Sequence, residues 1–413
     1  MRRTLKVLGL LLAGAVLLLA SGALWLHLAG LPRYETEKVD VDATPTPERL
    51  VQGKKLATLL CASCHMDPAT LKLTGKHMPD VPSEFGPVYS KNITRHPTRG
   101  IGQWTHGEIA YLLRTGVGRD GVYIPPWMVK LPHLSDEDMS SILVFLSSDD
   151  PLVAPSEALP PGVTKPSFLS KLLSRIVFLK IPYPQRHIVA PSKTDKVAYG
   201  RYLAVALDCY GCHSEDFKTT NIAEPEKTPG YMAGGNTLPD LVGGTIRSAN
   251  LTFDNETGLG TWSEADLARA LHDGFRPDGA LIRYPMNPAP ELDNDDIAAL
   301  YAYLKSLRPQ RNAFPRTRQM PPPGSTREVG AYAKYGCPSC HGDNGVGMAD
   351  LRQAAQRYPT DAALREWIDD APKLKPGTRM PGWRGIIAEE DYAPLIAHVR
   401  SLGAKTASAP PSK

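Results

Sequence analysis

The sequence predicts a mainly α-helical chain in which three small domains of one kind stand in tandem behind an N-terminal transmembrane helix. Three observations predict it. A five-residue pattern, Cys-x-x-Cys-His, occurs three times, at Cys61–His65, Cys209–His213 and Cys337–His341. Each occurrence is followed later by apolar residues at i, i+3, i+4 and i+7, the spacing of one helix face. The chain also begins with one long uncharged stretch.

Composition agrees. At roughly 150 residues per domain, 413 residues allow about three. A chain that is 42% hydrophobic and 22% charged is neither a multi-span membrane protein nor a disordered one. With 47 Lys and Arg against 43 Asp and Glu, and no basic block after the first six residues, nucleic acid is not an expected partner. Gly 35 and Pro 39 make the domains rich in loops, and aromatics are only 7%. Small domains of this kind complete their cores with a metal, disulfides or a cofactor.

The elements follow in order. Arg2, Arg3 and Lys6 precede the uncharged run Val7–Leu31, which is long enough to cross a bilayer as a helix. Basic residues before it and a polar remainder after it place the bulk of the chain outside the cytoplasm. Residues 1–35 therefore read as a membrane anchor. Ala20-Ser21-Gly22 also fits a signal-peptide cleavage site, but Leu24–Leu28 stays apolar beyond it, where a signal core ends. The anchor is the reading carried forward.

The first domain is expected over 45–148. A linker with eight prolines follows at 149–192, containing the short apolar helix Phe168–Leu179, which suits a membrane surface, a partner or a domain edge. The second domain spans 193–308, a basic linker 309–325, the third domain 326–404, and 405–413 reads as a disordered tail. An ungapped shift of 158 residues superimposes Asn92-Ile-Thr on Asn250-Leu-Thr, Trp104 on Trp262, Gly116 on Gly274 and Met128 on Met286. Between its cysteines and its Asn, the second unit has ten extra residues in the glycine-rich 230–244 region, expected to be a loop. The closing helix faces are Met139, Ile142, Leu143 and Leu146; Ile297, Leu300, Tyr301 and Leu304; and Tyr392, Leu395, Ile396 and Val399. Helices are also expected before each motif, at 48–60, 196–207 and 327–335. Gly53, Gly200 and Gly330 lie within them, and close helix packing accounts for a glycine there. Trp104 and Trp262 suit ordinary core packing or the edge of a cofactor.

No cysteine lies outside the three motifs, and Cys-x-x-Cys-His is the attachment pattern of c-type haem. On a helical turn, positions i, i+3 and i+4 share a face, so two thioethers and an iron-binding His meet one porphyrin. The cofactor-binding residues are Cys61, Cys64, Cys209, Cys212, Cys337 and Cys340, with His65, His213 and His341 as iron ligands. Three covalent haems c, with their iron, are expected. A zinc site would need two further ligands per motif, and a redox Cys pair would not need the His. For the sixth iron ligand, Met128, Met286 and Met380 recur 11 or 12 residues before the closing helix face, each with proline nearby. Methionine opposite His closes the iron and raises its potential. Met348 rivals Met380, and Met78 and Met232 are lesser rivals in the first two units. The remaining histidines have no counterpart between repeats and read as structural.

With these motifs, each unit resembles a class I cytochrome c domain. The segment Asn250–Ser263 and its copy Asn92–Thr105 are similar to the multihaem cytochrome c subunits of membrane-bound alcohol, aldehyde and gluconate dehydrogenases. That resemblance implies a non-catalytic electron-transfer protein, single-pass in the bacterial inner membrane with its haems on the periplasmic side. It also implies a dehydrogenase catalytic subunit as donor and a quinone or a cytochrome or oxidase as acceptor. The third unit, beginning Gly342-Asp-Asn-Gly-Val-Gly347, departs from the group, as does Arg95-His-Pro in the first. A peroxidase-like enzyme with one open haem is the alternative from another class; the repeated methionines speak against it.

Overall fold

A computed structural model describes residues 2–67, 70–78, 81–239, 245–279, 282–283, 285–314, 330–335, 337–341, 345, 350–375, 378 and 380–407. The protein is mainly helical. Helix α1 (Arg2–Ala29) is exposed along most of its length, with only Leu26 buried among its described side chains. No packed neighbour accounts for so apolar a helix. The chain leaving it is tied to the first unit, because the Tyr34 amide donates to Gly121 O at 2.9 Å and the Tyr123 amide to Pro32 O at 2.9 Å.

In the first unit, α2 (Pro47–Ala57) starts on a Thr46 cap with Pro47 at its first position, and runs through a π turn (Thr58–Ala62) into Ser63–His65. Helix α3 (His106–Thr115) opens on a reciprocal Thr105/Glu108 box and stops at Gly116, whose φ of 80° suits only glycine comfortably. Helix α4 (Asp136–Leu146) is capped by Ser135. Helix α5 (Phe168–Ile176) lies in the linker, shorter than the apolar run that predicted it. The second unit repeats the plan with α6 (Lys196–Ala206), α7 (Glu264–His272, boxed by Ser263 and Asp266) and α8 (Asn294–Ser306, boxed by Asp293 and Asp296). The last part holds the short turn Ala331–Lys334, then α9 (Asp361–Leu374), kinked at Asp370, and α10 (Glu389–Ala407).

Helix α2 packs on α4, and α6 on α8. The glycine expectation is met at two of three positions. A Cβ on Gly53 would stand 1.9 Å from Ser141 O, and one on Gly200 would stand 1.9 Å from Ala299 O, so the backbones touch there. Among the described residues, nothing lies within 4 Å of a Cβ on Gly330, so their packing does not explain it. The extra segment of the second unit is more than the loop expected. Thr237–Pro239 (β1) pairs antiparallel with Thr245–Arg247 (β2), Thr237 opposite Arg247. Its Thr and Ile residues favour extended backbone, and Ile246 gains burial.

The first two units share one apolar core, in which Leu56, Ile142 and Phe145 join Tyr199, Leu203, Leu300 and Tyr303. Two buried carboxylates bind the units reciprocally. Asp138 accepts from Gln52 Nε2 of its own unit at 2.8 Å and from the Tyr202 hydroxyl of the other. Asp296 accepts from the Tyr199 hydroxyl of its own unit at 3.1 Å and from the Lys55 ammonium of the other. Gln52 and Tyr199 each precede the packing glycine; Lys55 and Tyr202 each lie two residues after it. The last part builds a separate core from Tyr332, Leu364, Ile368, Trp383, Leu395 and Val399. Trp383 meets the second unit edge-on at Phe275, with ring centroids 6.0 Å apart.

Candidate functional site

Helical turns carry the three motifs. In the second, His213 N donates to Cys209 O at 2.8 Å; in the third, His341 N donates to Cys337 O at 3.0 Å. That bond sets the first Cys and the His one turn apart on a common face. Asp208, immediately before Cys209, adopts a left-handed φ of 56° to turn the chain out of α6 into this helix.

Each of the first two histidines is held by a carbonyl from a distant loop. His65 Nδ1 lies 2.7 Å from Lys91 O, and His213 Nδ1 lies 2.8 Å from Ala249 O. A carbonyl only accepts, so Nδ1 carries the proton and Nε2 keeps its lone pair for a metal. Burial lowers the pKa of both rings, against the hydrogen bond, and favours the neutral imidazole that ligation requires. The carbonyl is set by the next residue. Asn92 Oδ1 accepts from Thr94 N (2.8 Å) and Thr94 Oγ1 (2.7 Å), and Asn250 Oδ1 from Thr252 N (2.9 Å) and Thr252 Oγ1 (2.8 Å). This gives the repeated Asn-x-Thr a role that sequence reading left unassigned: it fixes the loop that orients the imidazole.

One cavity of about 1560 Å³ runs through both units, lined by Cys61, Cys64, His65 and Met128 and by Cys209, Cys212, His213 and Met286. A single small-molecule pocket is roughly 300–1,000 Å³, so the space suits two large ligands better than one. Trp104 and Trp262 line it too. The methionine loops are held alike. Met128 N donates to Pro125 O at 3.2 Å and Met286 N to Arg283 O at 3.0 Å; just beyond, Leu131 N donates to Leu113 O and Ala289 N to Leu271 O. Met286 is 37% exposed. Among the rivals, Met78 lines the cavity and is buried, whereas Met232 is fully buried in the core away from it. In the third unit, Cys337 and Met380 pack against the same core cluster. Met348 lies outside the described residues.

The donor set fits haem c. All six cysteines are thiols rather than disulfides. Burial pushes the Cys61, Cys209 and Cys337 thiols up to about 12, far from the reactive thiolate of a redox pair. Among the described residues no group of three or more His, Cys, Asp and Glu is gathered for a metal ion, as a zinc site would need. Features with no sequence signal are Lys130, buried two residues after Met128, and Asp208, which precedes Cys209 and lines the cavity. Burial lowers the Lys130 pKa and raises that of Asp208, and the charge of each opposes the other's shift. Lys130 Nζ donates to Pro125 O at 2.8 Å, anchoring the Met128 turn.

The cytochrome c family matches residues 197–308. This segment is a cytochrome c domain. It contains the second Cys-x-x-Cys-His motif, the His213–Ala249 bond and Met286. Beyond the domain, the chain is 28% identical over 375 residues, 83% of its own length and 77% of the relative's, to the cytochrome c subunit of a quinone alcohol dehydrogenase from Gluconacetobacter polyoxogenes. It is 27% identical over 343 residues to the gluconate 2-dehydrogenase cytochrome c subunit of Pantoea cypripedii, covering 79% of this chain and 76% of that one. The fructose dehydrogenase cytochrome subunit of Gluconobacter japonicus is 29% identical over 261 residues, 60% and 50% of the two chains. Over these lengths the chain resembles those cytochrome subunits.

Proposed function

We propose that the chain is the membrane-anchored triheme cytochrome c subunit of a dehydrogenase complex, taking electrons from a catalytic partner and delivering them to quinone or another acceptor. In this reading 45–148, 193–308 and 326–404 are three cytochrome domains on the periplasmic side of the bacterial inner membrane, anchored by the helix within 1–35. Cys61/Cys64, Cys209/Cys212 and Cys337/Cys340 hold three haems c, with His65 and Met128, His213 and Met286, and His341 and Met380 as iron ligands. The observation that carries it is the common cavity, which collects all eight of these residues from the first two units around two imidazoles with Nδ1 pinned. When bound, haem supplies a one-electron couple. The protein's part is then to hold and orient. The Asn-x-Thr loops would aim Nε2 and the methionine turns would present a thioether within the same cavity, which Trp104 and Trp262 help to line. The names of the relatives support a dehydrogenase as the donor.

A pyridine haemochrome assay on purified chain, matured in a competent host, tests the count. Three haems per chain are expected, and two after Cys337→Ala with Cys340→Ala. One or none in the unaltered chain contradicts the reading.

A further inference from the structure

Helix α5 is built inside out. Its inward face is Ser170 and Ser174, both buried, with Ser167 and Ser170 donating to Glu84 O (2.6 Å) and Phe85 O (2.7 Å). Its outward side chains are large and apolar. Phe168, Leu169 and Ile176 are exposed, as are Val177 and Leu179 just beyond; Ile176 is 62% exposed. A helix facing water has the reverse arrangement.

The same helix grips the end of α1. Lys171 Nζ donates to His27 O, Arg175 Nη1 donates to Gly30 O at 3.0 Å, and the Arg175 guanidinium stands 5.2 Å from the centre of the Trp25 ring. These cations satisfy carbonyls that a helix C-terminus leaves open and complement its negative end. They also fix α5 beside Trp25 and Leu28, where the apolar helix meets the soluble part. Trp favours this depth, the membrane–water boundary. From Lys165 to Lys180 the chain carries four cations and no acid, which complements anionic phospholipid headgroups.

We propose that α5 is an in-plane membrane helix. It seats its Phe168–Leu179 apolar face in the headgroup–acyl boundary of the bilayer that α1 crosses, and so fixes how the first unit sits on that membrane. The occupant is anionic lipid, argued from continuity with α1, the turned-out apolar face and the cationic run. The inference rests on the reading of α1 as an anchor, and the test separates the two.

The full, haem-loaded chain, whose native cysteines are taken up in thioethers, is reconstituted into vesicles of phosphatidylethanolamine and phosphatidylglycerol. A nitroxide is attached at Ile176→Cys, at Leu18→Cys within α1, or at Val189→Cys, an exposed linker position. Relaxation by oxygen, which concentrates in lipid, is compared with relaxation by a water-soluble nickel chelate. The expected result is an oxygen-to-nickel ratio at 176 several-fold above that at 189 and approaching that at 18. A ratio at 176 equal to that at 189, with 18 in lipid, would overturn the proposal and leave the anchor intact. So would a label at 176 shielded from both reagents, because protein then covers the face. Water exposure at 18 would sink the anchor reading and, with it, the placement of α5 on a bilayer that α1 crosses.

Discussion

The first two units and the third are assembled differently. Asp138 and Asp296 are each shared between a residue of their own unit and one of the neighbour, and a single core and cavity pass through both units. The third has its own core and meets the second through the Phe275–Trp383 edge. The two repeats that remain alike in sequence are thus the two that interlock, while the diverged one is attached. The acceptors Asp138 and Asp296 and the packing glycines Gly53 and Gly200 match between the two units, whereas the donors differ, Gln52 and Tyr202 at one carboxylate and Tyr199 and Lys55 at the other.

The most damaging change to the pair is expected at Asp296, whose side chain is 0% exposed. Asp296→Ala takes the acceptor from the Tyr199 hydroxyl and leaves the Lys55 ammonium only the half-exposed Asp293. Removing one partner of a buried ion pair costs about 3 kcal/mol. In calorimetry of the full chain, the transition of the first two units should fall and that of the third should stay. A shift of both together would mean that the three units unfold as one.

A second comparison separates packed glycines from an idle one. Gly53→Ala and Gly200→Ala push a Cβ into backbone, an overpacking worth about 1–3 kcal/mol each. Gly330→Ala meets nothing among the described residues and should cost nothing measurable. Equal losses at all three positions in denaturant titrations would contradict the contacts described here.

The closing helices, the helices before the first two motifs and the Cys-x-x-Cys-His pattern are legible because they are local. Helix faces repeat every three or four residues, and Cys-x-x-Cys-His sits on one turn. The shared cavity, the placement of Lys130 and Asp208 and the bonds from Lys91 O and Ala249 O to the histidines are not legible, since they join residues that only tertiary folding brings together. Asn-x-Thr was visible as a repeat, yet its use depends on a carbonyl with no sequence signature. Gly330 misled for the complementary reason: a position shared in sequence does not guarantee a neighbour in space. The β1–β2 pairing is not legible, because the glycines of 230–244 outweigh two short extended runs.

The smallest expected effect is that of acid on the interface. Burial raises the Asp293 carboxyl, but Lys55 and the Asp296 amide outweigh it and hold it at about 2 against 3.8 unfolded. A depressed folded value means that the carboxylate's contribution is complete above the unfolded value and fades as pH falls from there toward 2. The first two units should therefore lose stability over that window. Asp293→Asn, which keeps the helix cap, should remove this part of the pH dependence. An unchanged acid profile in that variant would assign the effect to other groups.

The proposal that Met128, Met286 and Met380 each close an iron held by a motif histidine is tested most directly by carbon monoxide titration of the reduced, haem-loaded chain. The unaltered protein should take up almost none. Met128→Ala should gain one equivalent per chain, with the covalent haem count unchanged and one midpoint potential lowered. A full equivalent bound by the unaltered protein would contradict the account, because one iron would then be naturally open and a catalytic role would return.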